Sequence, residues 1–76
     1  MKRIAYITTS HARGLPQKIG NDAWELHVKC FRAGFQCLEG LKWDVVIIDH
    51  NALWEMSRDA SWWGVIMTHS DKVVIL

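Results

Sequence analysis

Residues 44–51 read Asp-Val-Val-Ile-Ile-Asp-His-Asn (DVVIIDHN). Val45, Val46, Ile47 and Ile48 are four consecutive β-branched residues, so an extended chain here is apolar on both faces. That is the pattern of an interior strand covered from both sides, as in a parallel sheet. The run leads straight into Asp49, His50 and Asn51, three side chains able to do chemistry. The end of this strand is therefore either a reactive site or the polar rim of a buried element.

Upstream, Arg3–Thr9 (RIAYITT) is rich in β-branched and aromatic residues and precedes a loop with Gly14, Pro16 and Gly20, which predicts a first strand. Asp22 stands three residues ahead of Glu25, as in a capping box. Trp24, Val28, Phe31, Phe35 and Leu38 then recur at helical spacing, which predicts a helix ending at Gly40 in the left-handed position, with Leu41 beyond it. Trp43–Asp49 is the second strand. Downstream, Leu53, Met56, Ala60, Trp63 and Met67 repeat the helical spacing, with Asn51 as N-cap, and predict a second helix to about Thr68. Ser57, Asp59, Ser61 and Gly64 weaken that pattern, and Gly64–Thr68 also fits one arm of a hairpin. Lys72–Leu76 (KVVIL) is a strand in either version.

The expected order is βαβαβ: a small α/β fold with a three-stranded, mostly parallel sheet and two helices, laid out as half of a Rossmann- or flavodoxin-like sheet, in one domain spanning residues 1–76. In strand order 1-2-3 both helices lie on one side and leave the other bare. In order 2-1-3 each face receives one helix. Either way the C-terminal VVIL occupies a sheet edge, and an uncovered apolar edge invites another chain to pair with it.

A chain of 76 residues, half of them hydrophobic and 22% charged, is globular, but at that size only about 60% of the unfolded surface becomes buried. The net charge of +1 gives no reason to expect nucleic acid or an anionic membrane as partner. Charge is nonetheless lopsided. Residues 1–38 carry six Lys/Arg against two acids, and residues 39–76 carry three against six. Two cysteines, Cys30 and Cys37, do not make a disulfide framework. The apolar run at the start is broken by Thr8 and no run reaches the roughly 20 residues of a membrane span, so a cytoplasmic location is expected.

Ligands of open parallel sheets bind beyond the carboxyl ends of the strands. The polar residues placed there are Ser10, His11 and Arg13 after the first strand and Asp49, His50 and Asn51 after the second, and together they form a candidate phosphate or nucleotide site. The loop carrying the first group matches neither GxGxxG nor GxxxxGK[ST]. An aspartate at the end of VVII, followed by a helix and VVIL, resembles the middle of receiver (response-regulator) domains, in which that aspartate accepts phosphate. Receivers also place an acidic pair after the first strand. This chain has Thr9 and Ser10 there, which leaves magnesium-assisted phosphoryl transfer without its electrostatic basis. Ser10 and His11 point to opposite sides of an extended strand, against a hydrolytic pairing. His27, Cys30, Cys37 and His50 match no common zinc spacing, so core packing is the expectation and no metal or other cofactor is assigned.

Five tryptophans are the clearest compositional excess. Trp24 and Trp63 fall on the apolar stripes and are expected in the core. On one continuous helix Trp54, Arg58 and Trp62 would stack at i, i+4 and i+8 on the opposite face, and Trp and Arg are the types most enriched in interface hot spots. The leading expectation is a protein that binds another protein or a second copy of itself, as inhibitor, adaptor or homodimeric regulator, through Trp54, Arg58, Trp62 and the edge residues Val73, Val74 and Ile75. Catalysis is not expected.

Overall fold

The structure is a computed structural model that describes residues 1–9 and 18–76. Strand β1 is Lys2–Thr8, β2 is Lys18–Gly20, β3 is Trp24–Cys30, β4 is Trp43–Ile48 and β5 is Ser70–Ile75. They form one sheet in the order β2-β3-β1-β4-β5. β3, β1, β4 and β5 run parallel, and β2 pairs antiparallel with β3. Helix α1 is His50–Met56 and α2 is Ala60–His69, both between β4 and β5. The protein is thus a mixed α/β fold, and three features depart from the expected layout.

The first is the segment 22–40, which is not a helix. Seven register pairs tie β3 to β1, from Lys2 opposite Trp24 to Thr8 opposite Cys30. The sequence WELHVKC alternates, with Leu26, Val28 and Cys30 to one side and Glu25, His27 and Lys29 to the other. A spacing of four is even, so Trp24 and Val28 satisfy a two-residue and a 3.6-residue period alike. Beyond β3 the chain makes a pair of short 3-10 turns, Phe31–Ala33 and Phe35–Leu38, divided by Gly34 at φ +90°. That backbone conformation stops a helix in the middle of the expected stripe. The residues read as a capping box form the β2–β3 hairpin instead. Asn21 Oδ1 accepts from the N–H groups of Ala23 (2.8 Å) and Trp24 (3.2 Å), an Asx turn.

The second departure is the region 50–69. Two helices stand where the spacing predicts one, and Asp49, not Asn51, is the first N-cap: its Oδ1 accepts from Ala52 N–H at 2.8 Å. Asp59 caps α2 by accepting from Ser61 N–H at 3.0 Å. The break between the two helices ends the continuous stripe. Met56 is buried and Leu53 and Trp63 pack against the core, but Ala60 and Met67 are exposed. In their place Trp62 and Ile66, at i and i+4, carry the inward face of α2. The expected Trp54–Arg58–Trp62 ladder is therefore corrected: Trp62 is a core residue, stacked on Phe31 with ring centroids 5.2 Å apart.

The third departure concerns cover. Ala5, Ile7, Trp43, Val46 and Ile48 from the sheet form one core with Leu38, Ala52, Met56, Trp62 and Ile66. Trp43 donates from Nε1 to the Leu38 carbonyl at 3.0 Å and meets His27 edge-on. Both helices and the 3-10 turns supply this one face. β4 is interior, as its sequence implies, yet of its four β-branched residues only Val46 and Ile48 are fully buried. Val45 and Ile47 point to the other face and are half-buried.

Trp54 and Trp62 thus differ sharply in what they hold together. Trp62→Ala is expected to cost about 3–5 kcal/mol, as large-to-small core changes do. Trp54 is 67% exposed, so Trp54→Ala should cost less than about 1 kcal/mol. Urea denaturation of the two variants measures the difference.

Candidate functional site

Because β1 and β4 are parallel neighbours, their carboxyl ends do meet. Asp49 N–H donates to the Ile7 carbonyl at 3.2 Å. Its carboxylate serves as the α1 cap and also lies beside the Tyr6 hydroxyl. Burial and then the Asp49 charge and hydrogen bond hold the Tyr6 phenol above its ordinary pKa. His50 and Asn51 are exposed on the first turn of α1. Ser10, His11 and Arg13 lie outside the described residues. Asp49 is therefore occupied with ending a strand and starting a helix, and Tyr6 is the polar partner that the sequence did not single out.

His27, Cys30, Cys37 and His50 are not gathered into a centre. His27 sits against Trp43, Cys37 packs on the core with its thiol pushed up by burial, and Cys30 Sγ makes only a weak 3.9 Å contact to the Thr9 carbonyl. Among the described residues no group of three or more His, Cys, Asp or Glu could hold a metal ion. Among them, too, no helix is long and apolar enough to cross a membrane.

The ionic cluster of the sheet centres on Glu25. Its carboxylate receives Lys18 Nζ at 2.9 Å, His27 Nε2 at 3.1 Å and Arg3 Nε at 3.6 Å. Hydrogen bonding to Lys18, and then to His27, lowers its pKa to about 2. The cluster knits β2, β3 and β1 together on the helix side of the sheet.

The opposite face is the largest feature left without a role. Paired residues share a face, so the register sets Ile19, Leu26, Ile4, Val45 and Lys72 in one row and Val28, Tyr6, Ile47 and Val74 in the next, with Cys30 and Thr8 beyond. Ile4, Tyr6, Leu26, Val28, Val45, Ile47 and Val74 are half-buried and belong to no part of the core cluster, while Thr8, at the carboxyl end of the same face, is buried. Among the described residues no helix or turn lies over them. The two-residue alternation in RIAYIT and WELHVKC is the signal for this face, hidden in the second case by the helical reading.

The expected edge is present: β5 has a strand on one side only. Its residues divide between faces. Val73 packs on the core beside Val46, Val74 joins the uncovered face, and Ile75 and Leu76 are 51% and 64% exposed. Trp54 and Arg58 form a separate exposed pair on the helical layer, the guanidinium 5.8 Å from the ring centroid.

No family model matches this sequence, and no curated protein or solved structure is significantly similar to it.

Two solution measurements check these contacts. The chain has a single tyrosine, so tyrosinate absorbance reports Tyr6 alone. Asp49→Asn keeps a capping side chain while removing the charge, and should move the Tyr6 titration downward; Asp49→Ala should in addition lose about 1 kcal/mol of stability. For Glu25 the folded pKa of about 2 lies below the ordinary 4.5. Its stabilising contribution is therefore complete above the unfolded value and is lost as pH falls toward 2. The stability difference between wild type and Glu25→Gln, measured by urea denaturation, should shrink over that interval.

Proposed function

We propose that this chain acts by binding protein, as an inhibitor, adaptor or homodimeric regulator, and that the uncovered sheet face with its β5 border is the surface it uses. The carrying observation is the contiguous apolar patch from Ile4, Tyr6, Leu26, Val28, Val45, Ile47 and Val74, only partly shielded from water. Soluble monomers rarely expose contiguous apolar patches beyond a few hundred Å², and larger ones mark interaction sites. An adjoining edge strand adds unpaired backbone groups that another chain can use. Trp54 and Arg58 offer a second, smaller contact on the helical layer, with Trp62 now withdrawn from it. The setting assigned to this activity is the cytoplasm, with Cys30 and Cys37 as free thiols.

Ile47 lies near the middle of the patch and contributes nothing to the core cluster. Affinity capture with wild type and with Ile47→Lys, each first shown to be folded by its buried-tryptophan fluorescence, tests the reading. A bound protein, copies of this chain included, should be retained by wild type and lost by the variant. Identical capture by both sinks the proposal.

A further inference from the structure

We propose that the occupant of the uncovered face is a second copy of this chain, packed sheet on sheet about a two-fold axis that sets the two β1 strands antiparallel. The inference rests on the protein-binding reading above and names its partner. Three observations carry it: the size of the patch, the breadth of its cover and the arrangement of its charges.

The five strands, of seven, three, seven, six and six residues from β1 to β5, lie about 4.8 Å apart and rise some 3.3 Å per residue, which gives a face of roughly 450 Å². Two copies would bury about 900 Å², close to the roughly 1,000 Å² that a specific interface needs. A lone helix, about 10 Å across, would cover only about two of the five strands. A second sheet of the same width covers them all at the usual separation of about 10 Å, with strand directions inclined by about 30°.

The charges choose the orientation. The acids of the strands are committed on the helix side or within the sheet: Glu25 to Lys18, His27 and Arg3, Asp71 to Lys42 at 3.3 Å, and Asp44 to the Arg3 N–H at 2.7 Å. On the uncovered side, the amino end of β1 carries Lys2, and the carboxyl end carries Asp49 beside the Tyr6 hydroxyl. Lys2 makes no ion pair with another described residue. An axis parallel to the strands would set Lys2 against its own copy. An axis across them, passing near Ala5, lays Ile4 of one copy over Tyr6 of the other and brings Lys2 of each to the Asp49 end of its partner, twice by symmetry. Lys72, at the β5 border, can carry its ammonium past the rim into water.

Sedimentation velocity and light scattering over a concentration series test this. Wild type should show twice the 8.8 kDa chain mass. Ile47→Lys should be a folded monomer by circular dichroism and tryptophan fluorescence, and Lys2→Glu, at an exposed strand end, should raise the dissociation constant on the order of tenfold while Lys42→Glu leaves it unchanged. A dimer that survives both Ile47→Lys and Lys2→Glu overturns the inference and assigns the contact to the β5 edge. A wild type that stays monomeric to about millimolar concentration also overturns it. In that event, binding of an anilinonaphthalene dye decides the broader reading: dye bound by wild type and not by Ile47→Lys leaves the protein-binding face standing, and no dye bound by either removes it too.

Discussion

Seven consecutive register pairs join β1 to β3, and this ladder sets the width of the sheet. Once Trp24–Cys30 is a strand, the hairpin partner β2 can add outside it, and the sheet reaches five strands. Among the described residues the helical material left to cover it is seven and ten residues in α1 and α2, plus two 3-10 turns. An α-helix with its side chains spans about 10 Å, or two strands. These two short helices and two turns, the cover that the described residues supply, are enough for one face of such a sheet and insufficient for a second. The dense core on one side and the half-buried residues on the other are two results of the same choice made by β3.

The polar end of β4 belongs to this economy of cover. Helix α1 has only seven residues, too few to be stable by propensity, and it stands because Asp49 caps it and because Ala52 and Met56 are fully buried against the sheet. The aspartate's position after an apolar strand, which resembles that of a phosphate acceptor, reflects a local need: the chain leaves the sheet and turns at once into a helix whose first N–H groups need an acceptor. The second helix solves the same problem with Asp59. Both acidic residues are thus accounted for by backbone satisfaction before any ligand is invoked.

How much of this was legible in the sequence depended on whether a local pattern had one solution or two. Four β-branched residues in a row admit only a strand, and β4 is interior as read; RIAYITT and KVVIL likewise form β1 and β5, with β5 at an edge. Gly40 does adopt the positive φ expected of it, at +88°, though after a 3-10 turn and not an α-helix. WELHVKCFRAGF satisfies both periods, and what decides it is pairing with β1, a contact with residues some twenty positions away that propensity cannot see. The break at 57–59 is visible as Ser57 and Asp59, and taking it as a boundary moves the inward stripe from Trp63 and Met67 to Trp62 and Ile66. At the candidate site, the sequence points to Asp49 without showing that it caps α1, and it passes over Tyr6, because the hydroxyl reaches the aspartate only when β1 and β4 are neighbours.

The charge asymmetry of the chain has a structural use that the sequence did not suggest. The basic segment supplies β1, β2 and β3, and the acidic segment supplies β4, both helices and β5, so the divide runs along the β1–β4 seam. Across that seam the Arg3 N–H meets the Asp44 carboxylate, and within the basic half Glu25 gathers Lys18 and Arg3, two cations that would otherwise repel one another, together with the His27 ring nitrogen. Part of that charge is therefore engaged inside the molecule, on the side where the helices lie. A charge left over on the opposite side, such as Lys2, meets little competition from its own chain. There, bordering apolar residues and facing solvent, it can decide the orientation in which another surface is received more than the strength with which it is held.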